Sequence, residues 1–212
     1  MSPFRKPVKR QLFLTASSHR APQGASLRYA RGQALVEFAL IVPMFLVLIV
    51  ALAEFAFLLT VKVGLADTSQ DAVQLAAELG NATNADCTVL QLVEKDMSAP
   101  IDRTKIQSVS FFWTDPTGLN KGASTYVRNG TMTCANGGTV PYSASGTGYP
   151  VANRCNIVSG LGCASGHGGV DWIGVTITYQ YAWITPLPTL IGQQSSPPTF
   201  VQTSTSRLEP IQ

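Results

Sequence analysis

Between Glu37 and Glu54 the chain carries sixteen consecutive uncharged residues, FALIVPMFLVLIVALA, and after Glu54 the run FAFLLTV continues to Lys62. From Ala34 to Val61 there are 28 residues with only two charges among them. As an α-helix such a stretch reaches about 42 Å at ~1.5 Å per residue, enough for the hydrocarbon core of a bilayer with some to spare. A chain of 212 residues then has room for one span and one ordinary domain.

Charge is divided around this segment. Residues 1–31 hold Arg5, Lys6, Lys9, Arg10, Arg20, Arg28 and Arg31 with no acid, while residues 32–212 hold eight Lys or Arg against twelve Asp or Glu. Basic flanks stay on the cytoplasmic side, so the sequence predicts a single-pass protein of the plasma (inner) membrane with its N-terminus inside and its bulk outside. The basic head precedes a span and no folded element accompanies it, which argues against a nucleic-acid partner and makes membrane lipid the first partner.

All four cysteines, Cys87, Cys134, Cys155 and Cys163, fall in the part placed outside the cytoplasm, where thiols oxidise. Two disulfides are expected. Three connectivities exist, and short loops favour Cys155 with Cys163 and Cys87 with Cys134. A metal reading would use Cys155, Cys163 and His167, but the spacing is irregular and no paired CxxC element is present, so neither metal nor cofactor is expected.

Residues 1–32, with Pro3, Pro7, Pro22, Gly24 and Gly32 among the basic residues, read as a leader, disordered or transiently helical. The apolar helix is expected to run past the membrane and become two-faced. Leu65, Ala72, Ala76 and Leu79 form one stripe, to be turned to a partner, with Asp67, Asp71, Gln74 and Glu78 roughly opposite and Gly80 as the stop. A shorter helix is predicted over 86–98, with Val89, Leu90, Leu92, Val93 and Met97 on its apolar side and Pro100 ending it. Strands are predicted at 105–114, at 170–183, where Ile173, Val175, Ile177, Tyr179, Tyr181 and Trp183 alternate, and at 199–208, a polar, Thr-rich edge candidate.

The fold class is therefore α+β: a long N-terminal transmembrane helix continuing into a small exported domain with a short helix and a roughly three-stranded antiparallel sheet. The organisation is 1–32 leader, 33–80 span and polar extension, and 81–212 exported domain. Within the last lies a Gly/Ser/Thr-rich insertion, 115–169, expected to show little order. Its Gly160-Leu161-Gly162 and Gly166-His167-Gly168-Gly169 read as turns, since no strand-to-helix context makes them a phosphate loop.

The most informative stretch is Arg31-Gly32-Gln33-Ala34-Leu35-Val36-Glu37-Phe38-Ala39-Leu40, in which a basic residue and a glycine open an apolar helix that carries a carboxylate almost at once. A carboxylate within a bilayer costs on the order of 3 kcal/mol, so it asks for a partner or a function. Cleavage after Gly32 would make Gln33 the N-terminus and Glu37 the fifth residue. The new ammonium could then pair with Glu37 of a neighbouring subunit and fix the stagger of packed helices.

This stretch resembles a type IV prepilin-type signal, specifically that of the TadE-like family of pseudopilins from tight adherence (Tad, Flp pilus) systems. The resemblance rests on Arg31 to Phe38, on the second glutamate at Glu54-Phe55, and on the Ala-rich polar helix 66–79. It extends more loosely to a Thr-rich strand leading into Thr185-Pro186-Leu187-Pro188 and to a closing strand ending Arg207-Leu208-Glu209. It implies processing between Gly32 and Gln33 by a prepilin peptidase, assembly roles for Glu37, Phe38 and Glu54, and pilin-like subunits and a pilus assembly platform as partners. Phe38 stands where processed members commonly have Tyr, and the 32-residue leader is longer than most.

The expected function is that of a pseudopilin or minor pilin-like membrane protein in Tad/Flp pilus assembly. The competing class is a single-span anchored surface protein that displays a disulfide-bonded binding or adhesion module built on 115–169. An enzyme is not expected, because the exported part has one histidine, His167, and no nucleophile-base grouping or nucleotide loop.

Overall fold

The computed structural model describes residues 26–97, 101–115, 117–164, 166–190, 192 and 197–210. The chain divides into two units, Met1–Leu46 and Val47–Gln212. Among the described residues of the first, the only element is the start of helix α1 (Ser26–Leu79), which includes Gly32 rather than beginning after it. Leu27, Arg28, Ala30 and Arg31 are good helix formers, and one exposed glycine costs only about 1 kcal/mol against alanine. Most of the leader lies outside the described residues.

The second unit is α+β, as the sequence predicts. Its elements, in order after α1, are α2 (Ala85–Asp96), β1 (Ile106–Thr114), β2 (Asn120–Val127), β3 (Met132–Thr133), β4 (Thr139–Val140), β5 (Ser143–Thr147), β6 (Trp172–Gln180), α3 (Leu187–Leu190) and β7 (Thr199–Arg207). Five strands form one antiparallel sheet in the order β5-β2-β1-β6-β7, and β3 pairs with β4 in a separate small hairpin. The three expected strands are its β1-β6-β7 side, with the Thr-rich β7 at an edge.

Two strands more than expected come from the insertion. β2 (NKGASTYV) and β5 (SASGT) lack the apolar alternation by which a strand is read. They are held by backbone pairing instead: β2 lies between β1 and β5, with Ser110 opposite Thr125 and Tyr126 opposite Ala144. The low order expected for 115–169 is thus corrected, because pairing with an apolar neighbour orders a polar strand whose core-facing row, Ser124 and Tyr126, holds only one large side chain.

One face of the sheet is apolar and packs on helices. Val109 and Phe111 of β1 lie opposite Ile177 and Val175 of β6, and all four are fully buried with Ile173, Tyr179 and Tyr181. From α1, the residues Val61, Leu65, Ala72, Val73, Ala76 and Ala77 join this core; from α2, Val89, Leu90 and Val93 do so. The small-residue stripe expected to await another subunit is therefore occupied by the chain's own sheet, and the Ser69 hydroxyl meets that of Ser204 on β7 at 2.7 Å. Small side chains let a helix lie close on a sheet whose own face is bulky. On the opposite face Phe112 lies over Gly174, where an added Cβ would meet the ring at 2.1 Å, so any larger residue there would require the Phe112 ring to move.

Helix α1 ends where the sequence says. Gly80 has φ +53° and its N–H returns to the Ala76 carbonyl, a left-handed stop that suits glycine. Both favoured disulfides are present. Cys87–Cys134 ties α2 to the β3-β4 hairpin, and Cys155–Cys163 closes a short loop before β6.

Candidate functional site

The glutamates Glu37 and Glu54 occupy different surroundings. Glu37 is exposed on α1 amid exposed apolar neighbours that include Leu35, Val36, Phe38 and Leu40. Its contact among the described residues is local: the Gln33 side-chain amide donates to Glu37 Oε1 at 3.0 Å, one helical turn away. Gly32, Gln33, Glu37 and Phe38 thus share two turns of one helix. An amide neutralises no charge, so the carboxylate still lacks a cation there.

Glu54 is only 3 % exposed. Its carboxylate accepts from the Tyr181 hydroxyl at 2.6 Å, from the Ile184 N–H at 3.2 Å and from the Thr185 N–H at 2.8 Å. The donors come from the end of β6 and the loop that follows, so this carboxylate is satisfied within the chain. Charge-assisted bonds of this kind are roughly twice as strong as neutral ones, which makes Glu54 a clamp between α1 and the 181–185 segment. Reading the apolar helix alone misses those donors. The pointer to them is Thr185-Pro186, two residues after the alternating strand pattern ends at Trp183, where a strand must turn and expose backbone N–H groups.

From α1 residue 47 onward the helix sorts its faces. Glu54, Val61 and Leu65 are buried and Leu58 packs against the core, whereas Phe55, Phe57, Leu59 and Val63 are exposed. The earlier stretch Val47, Leu48, Ile49 and Leu52 is exposed as well. Among the described residues this is the one helix long and apolar enough to cross a membrane, and its most apolar window is not buried by the protein. It suits α1 to serve as a single-pass anchor.

Two polar clusters inside the domain go unseen in the sequence. In the first, Arg154 is fully buried and bonds Asp86, which also accepts from the Tyr126 hydroxyl at 2.8 Å; the guanidinium lies 5.1 Å and 5.5 Å from the Tyr149 and Phe111 ring centres. In the second, Asp171 accepts from the Tyr149 hydroxyl at 2.8 Å and the Cys155 N–H at 2.9 Å, and its other oxygen meets His167 Nδ1. His167 stacks on Trp113 at 4.2 Å. With Cys155 and Cys163 in a disulfide, the sulfurs that the metal reading needed are not free ligands, and no group of three potential metal ligands occurs among the described residues. Most polar groups of these clusters point to another, which is how buried polar groups hold a fold, while the Arg154 Nε is buried without a hydrogen-bond partner.

Burial and an adjacent carboxylate raise the tyrosine hydroxyls of this interior above their ordinary range. Desolvation is the first cause for Tyr126, Tyr142 and Tyr149. The second is the carboxylate each one bonds: Asp86, Glu94 and Asp171 respectively.

Compared with known proteins, residues 32–74 match the family model described as TadE-like protein, and these residues include Glu37 and Glu54. No curated protein and no solved structure matches the chain.

Proposed function

We propose that this chain is a pseudopilin or minor pilin-like membrane protein that acts in the assembly of a Tad/Flp pilus. The observation that carries the reading is the coincidence of the TadE-like match, which opens at Gly32, with an exposed carboxylate at Glu37 on an apolar helix. α1 crosses the plasma membrane with the basic leader in the cytoplasm and the sheet domain beyond the membrane. A prepilin peptidase cuts between Gly32 and Gln33. The ammonium so created on one subunit lies beside Glu37 of the next, which offsets the cost of the carboxylate in lipid. Phe38 and the apolar residues around it then supply the helix-helix contact. Other pilin-like subunits and the assembly platform are the partners.

The experiment is deletion of the gene and complementation in the source cells, with pili counted by electron microscopy and the intact mass of the membrane-extracted chain measured alongside. Loss of pili on deletion, restored by the full chain, and a mature mass lacking residues 1–32 are expected. Unchanged piliation would instead favour a tethered surface module and overturn the reading.

A further inference from the structure

We propose that the segment 182–190 is an interfacial collar, seated in the lipid headgroup region on the domain's side of the membrane at a depth fixed by Glu54. The proposal rests on the membrane reading of α1 and adds to it a second element that touches lipid.

Four observations within the second unit converge. First, the loop is anchored at one level of the helix, because the Ile184 and Thr185 N–H groups both bond the Glu54 carboxylate. Second, that level is not clear of the apolar surface. The outer face of α1 stays apolar and exposed past Glu54, through Phe55, Phe57 and Leu59 to Val63, which is 60 % exposed. Val63 lies about 13 Å further along the helix than Glu54. The first charge after Glu54 is Lys62, whose long stem allows its ammonium to reach a headgroup. A lipid boundary that covers this face therefore lies at or above the loop.

Third, the loop has the composition of an interface. No Asp, Glu, Lys or Arg occurs from Trp172 to Ser206, and the segment AWITPLPTL presents Ile184 with 57 % of its surface exposed beside an indole, Trp183. Trp183 itself is half-buried, packing edge-to-face on Tyr181 with its N–H inside the protein, so the exposed apolar contact of the segment is Ile184. Fourth, part of the segment's backbone is satisfied within the chain, at the level of Glu54 and around Pro186. Besides the two N–H groups on Glu54, the Tyr181 N–H bonds the Pro198 carbonyl, the Thr189 hydroxyl bonds the Pro186 carbonyl, and Pro186 and Pro188 have no N–H to satisfy. Irregular backbone at membrane depth is tolerated on that condition.

The test uses the full chain in phosphatidylcholine/phosphatidylglycerol vesicles, with one added cysteine labelled by the fluorophore NBD, the four native cysteines being paired in disulfides. Ile184→Cys reports the loop. Leu48→Cys reports the apolar helix. Leu119→Cys, exposed in the β1-β2 turn, reports the opposite end of the sheet, where Thr114 pairs with Trp172, about 26 Å along β6 from Gln180. Lipids carrying a nitroxide near the headgroup should quench the Ile184→Cys label several-fold more than the Leu119→Cys label, which should instead respond to aqueous iodide.

If Ile184→Cys behaves like Leu119→Cys while Leu48→Cys is quenched by acyl-chain nitroxide, the collar is overturned and the membrane reading stands. If Leu48→Cys is not quenched by lipid either, the membrane reading itself falls. Protection of Ile184→Cys from both quenchers, as under a second protein, overturns the collar as well.

Discussion

The Tyr181 hydroxyl donates to Glu54 Oε1 at 2.6 Å, joining a helix and a strand end that lie 127 positions apart in the chain. Both residues are buried, and the same carboxylate takes the backbone N–H groups of Ile184 and Thr185. The charged residue that most interrupts the apolar helix is thus the one around which the sheet domain is attached to that helix. Its burial is stabilising only while these donors are in place, because a buried carboxylate without partners loses its desolvation energy uncompensated.

Tyr181→Phe removes one donor and keeps the ring. A loss of about 1–3 kcal/mol in unfolding free energy is expected, measured by denaturant titration of the full chain in detergent. Glu54→Ala removes the acceptor of both backbone groups as well and should cost more. Equal stability of Tyr181→Phe and the unaltered chain would mean that water replaces the hydroxyl.

Arg154 is a fully buried cation whose ion-pair partner is Asp86. Arg154→Met leaves the Asp86 carboxylate with the Tyr126 hydroxyl alone and should cost about 3–5 kcal/mol, the penalty of a buried charge deprived of its counter-ion. Adding Asp86→Asn should then cost little more, or recover part of the loss. A double-mutant cycle in which the two changes simply add would show that the pair is not coupled.

The disulfides should differ in worth. Cys87–Cys134 spans 47 positions and Cys155–Cys163 spans 8, so loop-closure entropy assigns them about 4 and about 2.5 kcal/mol respectively. Replacing each pair by alanine and comparing denaturant midpoints checks the order. A larger effect from the short loop would mean that contacts of the 155–163 segment, rather than chain entropy, govern that region.

The raised tyrosine hydroxyls give the fold an alkaline limit. An unfolded tyrosine ionises near pH 10, while Tyr126, Tyr142 and Tyr149 in the fold hold their protons to higher pH. The stability they contribute is complete below the unfolded value and falls as pH rises through the folded one, because the unfolded chain sheds protons first. Tyrosinate absorbance at about pH 11 should account for well under the six tyrosines of the folded chain and rise on adding denaturant. Full ionisation without unfolding would contradict this interior.

Legibility followed apolar pattern. The two-faced helix with its stop at Gly80, and strands β1 and β6, all carry rows of large apolar residues, and the sequence places each to within a few residues, whereas the apolar helix begins at Ser26, ahead of the Gly32 boundary the sequence suggests. β2 and β5 do not, because Ser, Thr and Gly strands are ordered by a neighbour's backbone and leave no periodic mark. The grouping of Gly32, Gln33 and Glu37 on one stretch of helix is local and can be read directly. The partners of Glu54 are tertiary, and nothing within a helical turn of it signals Tyr181. The same limit hid the Arg154–Asp86 pair, two ordinary surface-type residues in sequence that the fold brings together inside.

Glu54 serves its own chain, and under the proposed function Glu37 serves another subunit. The direct measurement compares Glu37→Gln with Glu54→Gln in the source cells, scoring pili per cell against the amount of folded protein in the membrane. Glu37→Gln should leave the protein at normal level and abolish or sharply reduce pili, whereas Glu54→Gln should lower the amount of folded protein itself. Normal piliation with Glu37→Gln at normal level would contradict the account.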